Sequence, residues 1–265
     1  SMRERPKVVK LREFRLLQKP LPFQVLEILG AMSCVSEWTT DRFGEHGRSN
    51  VLRNTRKYPY DVDMDKATLR QVEGVLGAIG GAEDGGIWRF DYDPGEVLAE
   101  ILCSGCIPDQ ASHQFYPTPE ALAQEVVAAA GLAAGMRVLE PSAGQGGLAD
   151  LLPPDAACVE VSALHCQILR SKGREPICAD FTTWRDGMFD RVVMNPPFSE
   201  GRWRAHLKHA ASMVRPGGRL VAILPESARG KPQLPGWTER WGEVHRGAFP
   251  GTSVAVSILT ADRPR

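Results

Sequence analysis

The sequence predicts an α/β protein with a seven-stranded, largely parallel sheet that finishes in an antiparallel hairpin, preceded by a small α+β module. Beyond residue 112, short apolar runs alternate with helical patterns, which is typical of strand–helix–strand units. A glycine-rich loop follows the first of these runs. The final run, "GEVHRGAFPGTSVAVSILTA", places two extended segments around a Pro-Gly turn. We therefore predict a module at residues 1–112 and the α/β domain at residues 113–265.

The composition indicates a folded globular protein. The chain has 265 residues, a formal net charge of zero, 43% hydrophobic residues and 24% charged residues, which argues against extensive disorder. No apolar stretch is long enough to span a bilayer, and no charged-then-apolar leader is seen. We expect a cytoplasmic protein with no membrane partner.

The module is predicted to mix helices with a short strand. Helical periodicity covers residues 22–35, 66–79 and 94–105, and residues 86–92 alternate like a strand. Residues 1–60 carry twelve Lys/Arg against six Asp/Glu, so this arm could meet the phosphates of a nucleic acid. The alternative is an ordinary solvated face.

The six cysteines do not predict a metal centre. Only Cys103 and Cys106 have metal-ligand spacing, and no second pair completes a tetrahedral site. Cys158, Cys166 and Cys178 lie in apolar surroundings, so we expect them to be reduced core residues.

The elements of the larger domain follow one another in order. The predicted strands cover residues 137–140, 157–161, 175–179, 189–195 and 219–225, and the terminal hairpin adds two more. The predicted helices cover residues 119–130, 146–152, 163–172 and 202–214.

Residues at the ends of three successive predicted strands suggest a nucleotide-like ligand. The loop "RVLEPSAGQGG" runs from a strand through Glu140 into glycines that let a ligand approach the backbone closely. It lacks both the Lys-Ser/Thr pair of phosphate loops and the Gly-x-Gly-x-x-Gly spacing of dinucleotide enzymes. Glu160 could take two ribose hydroxyls, and Asp180 beside Phe181 suits an adenine amine and ring.

Five segments in order resemble the gamma class of S-adenosylmethionine-dependent DNA adenine-N6 methyltransferases, and the module around "WRFDYDPGEVLAEILCSG" resembles the appendage on some phage-type and mobile-element enzymes of this kind. The segments are "FYPTPE" (115–120), "VLEPSAGQGG" (138–147), "VEVS" (159–162), "ADF" (179–181) and "NPPF" (195–198). The resemblance covers about residues 110–265. It implies a Rossmann-like methyltransferase sheet and S-adenosylmethionine as the cofactor.

The resemblance also implies roles for individual residues. Phe115, Pro117 and Thr118 would close over the methionine part of the cofactor, Glu160 would hold the ribose, and Asp180 with Phe181 would hold the adenine. The full set of cofactor-binding candidates is Phe115, Pro117, Thr118, Glu140, Ser142, Gly144, Gly146, Glu160, Val161, Asp180, Phe181 and Asn195.

The catalytic candidates are Asn195, Pro196, Pro197 and Phe198. The exocyclic amine of adenine is a poor nucleophile, since its lone pair is delocalised into the ring. The Asn195 side-chain oxygen and the Pro196 carbonyl could accept its two N–H bonds and direct the lone pair at the methyl group. The prolines would hold these acceptors in place, and Phe198 would stack on a base flipped out of the duplex.

The substrate is expected to be DNA, with alternatives. Methyltransferases of RNA or of protein glutamine resemble the "NPPF" segment but usually lack "FYPTPE", and cytosine enzymes more often have Ser at the first position. A non-catalytic cofactor-binding or DNA-binding antirestriction factor is the remaining alternative. No separate target-recognition domain is visible, so we expect loose or short-site specificity, or recognition through the module, a partner chain or a homodimer. Arg229 and Lys231, within residues 226–241, could touch phosphate.

Overall fold

The computed structural model describes residues 20–40, 47–60, 62, 64–107, 117–198, 201–249 and 253–265 of the chain. The chain divides into two compact units, Ser1–Ser112 and His113–Arg265.

Within its described residues, the N-terminal unit contains three helices and a four-stranded antiparallel sheet. The helices are α1 (Phe23–Ala31), α2 (Lys66–Ala78) and α3 (Gly95–Ser104), and the strands are β1 (Ser33–Thr40), β2 (Gly47–Lys57), β3 (Ala82–Asp84) and β4 (Ile87–Arg89). The strand order is β1-β2-β4-β3. Helix α2 begins at Asp65, whose carboxylate accepts hydrogen bonds from the backbone N–H groups of Ala67 and Thr68, both at 2.8 Å.

The N-terminal unit differs from its sequence prediction at the strands. The helix predicted over residues 22–35 ends at Ala31, and the chain enters β1 at Ser33. The hairpin of β1 and β2 was not predicted, because "SCVSEWTT" and "GRSNVLRNTRK" do not alternate apolar and polar residues cleanly. The strand predicted over residues 86–92 is only three residues long.

The second unit contains the predicted seven-stranded sheet. Its strands are β5 (Val138–Pro141), β6 (Ala157–Glu160), β7 (Ile177–Cys178), β8 (Phe189–Met194), β9 (Val214–Pro225), β10 (Thr238–His245) and β11 (Val256–Asp262). Their order is β10-β11-β9-β8-β5-β6-β7. Strands β5 to β9 pair in parallel, whereas β11 is antiparallel to both β9 and β10. The prediction of a mixed α/β sheet with an antiparallel finish is therefore confirmed.

Both faces of this sheet are covered. The helices are α4 (Glu120–Ala130), α5 (Ala163–Ser171) and α6 (Trp203–Ser212). Alternate residues of β8 join opposite cores: Val192 and Met194 pack with Leu207 of α6, whereas Val193 packs with Val126 of α4. The alternation is the period of two expected for a strand, and it places α4 and α6 on opposite faces.

Two predicted elements of this unit are shorter than expected. The helix predicted over residues 146–152 is only a 3₁₀ turn at Ala149–Leu151, because two glycines precede it and two prolines follow it. The strand predicted over residues 175–179 shrinks to Ile177–Cys178. Pro176 lacks the N–H that a longer ladder would need.

The expected state of two cysteines was wrong. Cys166 in α5 and Cys178 in β7 form a disulfide, and the Cys178 side chain is exposed rather than in the core. Helix α5 leads directly into β7 and folds back beside it, so residues twelve positions apart meet. Their spacing in the sequence did not reveal this contact. Cys158 is buried and free, as expected.

Two kinds of feature are absent from the described residues. No group of three or more His, Cys, Asp or Glu side chains there could hold a metal ion. Across the same ranges, the helices lack the combination of length and apolar character that a bilayer crossing requires.

Candidate active site

A cavity of about 250 Å³ opens at the carboxyl edge of the parallel strands. It lies where β5 and β8 run side by side, which is the point at which the strand order reverses direction along the chain. Ligands of open α/β sheets bind at such switch points. The lining residues come from the ends of β5 and β6, from the loops after β5, β6, β7 and β8, and from the first turns of α5 and α6, together with Thr118 before α4.

The loop after β5 forms the floor of the cavity. Ser142, Ala143, Gly144 and Gly147 line it, and Ser142 has a positive φ of 61°. That backbone conformation is uncommon for a residue with a side chain, so the turn is tightly constrained.

Gly147 makes room for the segment that carries Thr118. A Cβ at residue 147 would lie 3.1 Å from Thr118 Cβ and 3.2 Å from Thr118 O. The neighbour is partly backbone and has little freedom to move. The absence of a side chain at Gly147 therefore brings Thr118 to the edge of the cavity.

Gly146 does not line the cavity, so its predicted role in cofactor binding is not supported by its position. It has a φ of +95°, and a Cβ there would lie 3.0 Å from Asp150 Oδ1 and 3.2 Å from Lys172 Nζ. Lys172 donates to Gln145 O at 2.8 Å and pairs with Asp150 at 2.5 Å. Gly146 is thus a turn residue that faces Asp150 and Lys172, the pair that contacts the loop on the side away from the cavity lining.

Two other cofactor-binding candidates come from the segment before α4. Pro117 is exposed and does not line the cavity. Phe115 lies outside the described residues.

Glu160 is held as a carboxylate by backbone donors. Gly144 N–H donates to Glu160 Oε2 at 2.7 Å, and Ser162 N–H donates to Glu160 Oε1 at 2.8 Å. Burial alone would raise the pKa of Glu160, but His165 and these two N–H groups outweigh it and lower the pKa. The ionised Glu160 therefore ties the glycine loop to the end of β6.

Glu140 differs from Glu160 in that its pKa is raised rather than lowered. Its side chain lines the cavity and is 2% exposed, and its Oε2 atom has no hydrogen-bond partner among the described residues. Burial raises the pKa of Glu140 well above its ordinary value, and the charges of Asp150 and Glu160 act in the same direction. The positive charges of Arg174 and Lys172 offset only part of this effect. A cationic or hydrogen-bonding ligand group would satisfy the unpartnered oxygen.

The segment after β7 supplies a third acid and an aromatic wall. Asp180 Oδ1 accepts hydrogen bonds from Thr182 N–H at 2.9 Å and from Thr182 Oγ1 at 2.7 Å. Phe181 is 3% exposed, and its ring lies edge-on against His209 with a centroid distance of 4.9 Å. Val161, after β6, lines the same cavity and is half exposed.

Asn195 directly follows β8 and is anchored from across the cavity. Its side-chain nitrogen Nδ2 donates to Thr118 Oγ1 at 3.0 Å. A side-chain amide offers donors at one end and an acceptor at the other. This bond assigns the nitrogen end to Thr118 and makes Oδ1 the acceptor end.

Pro196, Pro197 and Phe198 complete the loop after β8, and all three line the cavity. The Phe198 ring stands nearly perpendicular to the Phe249 ring, at a centroid distance of 6.2 Å and an angle of 79°. Phe249 is 1% exposed and belongs to the core on the α4 face. The half-buried Phe198 ring therefore packs against a buried aromatic ring that restricts its movement.

Sequence reasoning missed several side chains near the cavity. His206 lines it and lies 3.1 Å from Ser142 Oγ through its Nδ1 atom, and Arg202 lines it four residues earlier. The spacing of four residues at the start of α6 places them on one helical face, which was a usable signal. Nothing in the sequence pointed to Gly147 rather than Gly146, or to Phe249, because their positions depend on tertiary packing.

Comparisons with known proteins find structural similarity over part of the chain. No family model and no curated protein matches the sequence. Among solved structures, TrmN from Thermus thermophilus matches with a TM-score of 0.43 at 24% identity over 54% of this chain, and the match spans about half (48%) of that protein. The precorrin-6y C5,15-methyltransferase from Geobacter metallireducens matches with a TM-score of 0.44 at 15% identity, covering 59% of this chain and 96% of that one. The N-methyltransferase NodS from Bradyrhizobium japonicum matches with a TM-score of 0.43 at 15% identity, covering 56% and 98%. At this level of similarity, the function must be argued from the site itself.

Proposed function

We propose that this chain is an S-adenosylmethionine-dependent methyltransferase that methylates the N6 amine of adenine in DNA. One observation carries the proposal: the hydrogen bond from Asn195 Nδ2 to Thr118 Oγ1 at the cavity. It presets Oδ1 of Asn195 as a hydrogen-bond acceptor beside the two prolines and the ring of Phe198. An amide oxygen, a rigid backbone carbonyl and a ring suit the recognition of a planar base that carries an exocyclic amine.

The residues around the cavity fit the cofactor. Glu160 accepts two backbone N–H bonds and its Oε1 lies 3.7 Å from His165 Nδ1; the lone pairs that these contacts leave suit the hydroxyls of a ribose. The unpartnered oxygen of the buried Glu140 suits the ammonium group of the methionine part. Val161, Phe181 and Pro196 offer apolar surface for the adenine ring. When bound, S-adenosylmethionine supplies an electrophilic methyl group on a sulfonium.

The chain's own contribution to the reaction is orientation. Asn195 Oδ1 and the Pro196 carbonyl accept the two N–H bonds of the target amine, which draws its lone pair away from the ring and directs it along one line. Pro197 restricts the backbone that carries these acceptors. The acceptors are therefore already ordered before the base binds. Phe198, supported by Phe249, stacks on the base, which has to leave the duplex to enter the cavity.

DNA is proposed as the substrate because the Thr118 segment belongs to "FYPTPE", the motif on which the resemblance to DNA enzymes rests. Sequence recognition is proposed to come from the N-terminal unit or a partner chain. A nucleic acid sequence is read by contacts to the edges of the bases, whereas phosphate contacts only position the duplex.

The test is transfer of a labelled methyl group from S-adenosylmethionine to unmethylated duplex DNA. Parallel reactions would contain single-stranded DNA, RNA of the same sequence, and protein. We expect label in DNA, recovered as N6-methyladenine after digestion to nucleosides. Label in RNA or protein alone, or at cytosine, would overturn the proposed substrate.

A second measurement separates catalysis from folding. Replacing Asn195→Ala should reduce kcat by about 10²–10³-fold, comparable to removal of one preorganised hydrogen-bonding group from an active site. Binding of S-adenosylmethionine, measured by calorimetry, should be largely retained. Loss of both together would show that Asn195 is a structural residue. Full transfer by the variant would contradict the catalytic role.

A further inference from the structure

The surface beside the cavity carries a cluster of positive charge that the proposed reaction does not use. The cluster consists of Arg202, Arg204, Arg229, Lys231 and Arg246, and we call it the basic rim. All but Arg202 are exposed. Arg202 lines the cavity next to Phe198, so the basic rim begins at the site of the reaction.

The topology brings these residues to one edge of the sheet. Arg202 and Arg204 follow β8, and Arg229 and Lys231 follow β9, which is the parallel neighbour of β8. Strand β11 is antiparallel to both β9 and β10, so β10 runs parallel to β9, and Arg246 follows its end. The carboxyl ends of parallel strands meet at one edge, which is also where the cavity opens.

Packing joins the loop after β9 to the start of α6. Ala228 and Leu234 of the loop are buried in the same core cluster as Trp203 and Leu207 of α6. Trp237 packs against the same cluster. Residues 226–237 and the first turns of α6 therefore form one continuous surface.

Hydrogen bonds fix the shape of the loop. Glu239 Oε1 accepts from the N–H groups of Gln233 at 2.8 Å and of Leu234 at 2.6 Å. Gln233 Nε2 donates to Ala228 O at 2.7 Å and to Lys231 O at 2.9 Å. A loop ordered in this way loses little conformational entropy when it binds a partner.

Three residues of the basic rim carry a positive charge without an ion pair to any acid in the described ranges. Glu226 pairs with Arg246 at 3.0 Å, but no described acid forms an ion pair with Arg204, Arg229 or Lys231. Arg204 instead lies over the Trp203 ring, 4.4 Å from its centroid. Guanidinium and ammonium groups are the side chains with which proteins contact the phosphates of a nucleic acid backbone.

We propose that the basic rim binds the phosphate backbone of the nucleic acid on either side of the base that enters the cavity. This inference rests on the proposed function and names the surface that holds its substrate. Arg202 and Arg204 would meet the phosphates next to the target nucleotide, whereas Arg229 and Lys231 would meet phosphates further along. The contact is with the backbone, so it holds the substrate without reading its sequence.

The experiment measures binding of a fluorescently labelled DNA duplex by anisotropy at a series of salt concentrations. Each lost phosphate contact should reduce the slope of log K against log salt by about 0.9 for a duplex, so Arg229→Gln with Lys231→Gln should reduce it by about 1.8. Single-stranded DNA and RNA of the same sequence distinguish the nucleic acid that the basic rim prefers. The KM for DNA should rise, and S-adenosylmethionine binding should stay unchanged.

Arg265→Gln is the matched control. Arg265 is exposed and lies beside Gly217, near the amino end of β9 and hence at the opposite edge of the sheet. The slope of log K against log salt for this variant should equal that of the unmodified protein. An unchanged slope in the double variant, or an equal fall of the slope in the control, would overturn the proposal that the basic rim binds phosphates. Binding with the expected slopes but without methyl transfer would overturn the proposed function and leave the basic rim standing.

Discussion

Asn195 and Thr118 are 77 positions apart in the chain, and their side chains form a 3.0 Å hydrogen bond at the cavity. Thr118 precedes the helix on one face of the sheet, and Asn195 follows a central strand. The bond gives a physical reason for the two motifs to occur together. The "FYPTPE" segment provides the hydroxyl that orients the amide of the "NPPF" segment.

Replacing Thr118→Val should therefore lower kcat. The substitution keeps the volume but removes the hydroxyl, so the Asn195 amide can rotate away from the orientation that the proposed function requires. The loss of one hydrogen bond is worth about 0.5–1.5 kcal/mol, which corresponds to about a two- to tenfold lower kcat. Steady-state kinetics on unmethylated DNA would check it, and Thr118→Ser should restore most of the rate. A valine variant with full kcat would show that Asn195 does not depend on Thr118.

Replacing Gly147→Ala should disturb the same pair from the other side. The new Cβ would press on Thr118 at 3.1 Å, so we expect a loss of about 1–3 kcal/mol in unfolding free energy together with a lower kcat. Gly242→Ala is the matched control, since its Cβ would lie 3.6 Å from Ile258 in ordinary contact. Denaturant unfolding and kinetics of both variants give the comparison. Equal behaviour of the two would contradict a tight fit between Gly147 and Thr118.

The sequence predicted the parts of the fold and site that depend on local pattern. Short apolar runs predicted the seven strands, and the acidic residues at or just after the ends of three of them, Glu140, Glu160 and Asp180, do line one cavity. Position at a strand end is a local property, and a parallel sheet converts it into proximity. For the same reason Asn195 could be placed correctly at the end of β8.

Features that depend on how elements pack could not be predicted in this way. Gly146 and Gly147 are adjacent in the sequence, yet only Gly147 lines the cavity, because the segment of Thr118 packs on it. The contact of Phe198 with Phe249 joins two loops. The β1–β2 hairpin has a weak local pattern and is stabilised by pairing between its strands.

The stacking role of Phe198 can be tested with a ring-preserving pair of variants. Stacking of a base on an aromatic side chain is worth about 1–3 kcal/mol, so Phe198→Leu should lower kcat/KM by about five- to 150-fold. Phe198→Tyr keeps the ring and should retain most of the activity. Both variants should bind S-adenosylmethionine by calorimetry like the unmodified protein. A leucine variant as active as the tyrosine variant would show that the ring does not contact the base.

The raised pKa of Glu140 predicts a specific pH dependence of stability. A carboxyl whose pKa is higher in the folded than in the unfolded protein contributes stability below the unfolded value, near 4.5, and loses it as the pH rises through the folded value. Glu140→Gln removes this contribution. Guanidinium unfolding from pH 5 to pH 9 should therefore show the unmodified protein losing stability relative to the variant as the pH rises. Parallel curves for the two proteins would mean that Glu140 does not titrate in this range.

The disulfide between Cys166 and Cys178 should stabilise the α5–β7 corner that lies beside Glu160 and Asp180. Closing a loop of twelve residues is worth about 3 kcal/mol, mainly by restricting the unfolded chain. Cys178→Ser should lower the unfolding free energy by about that amount in oxidising buffer, and the difference should disappear with reductant. Cys103→Ser, at an exposed free cysteine, is the control and should have no effect in either buffer. An equal loss of stability with and without reductant would show that packing of the sulfur, rather than the covalent bond, holds the corner.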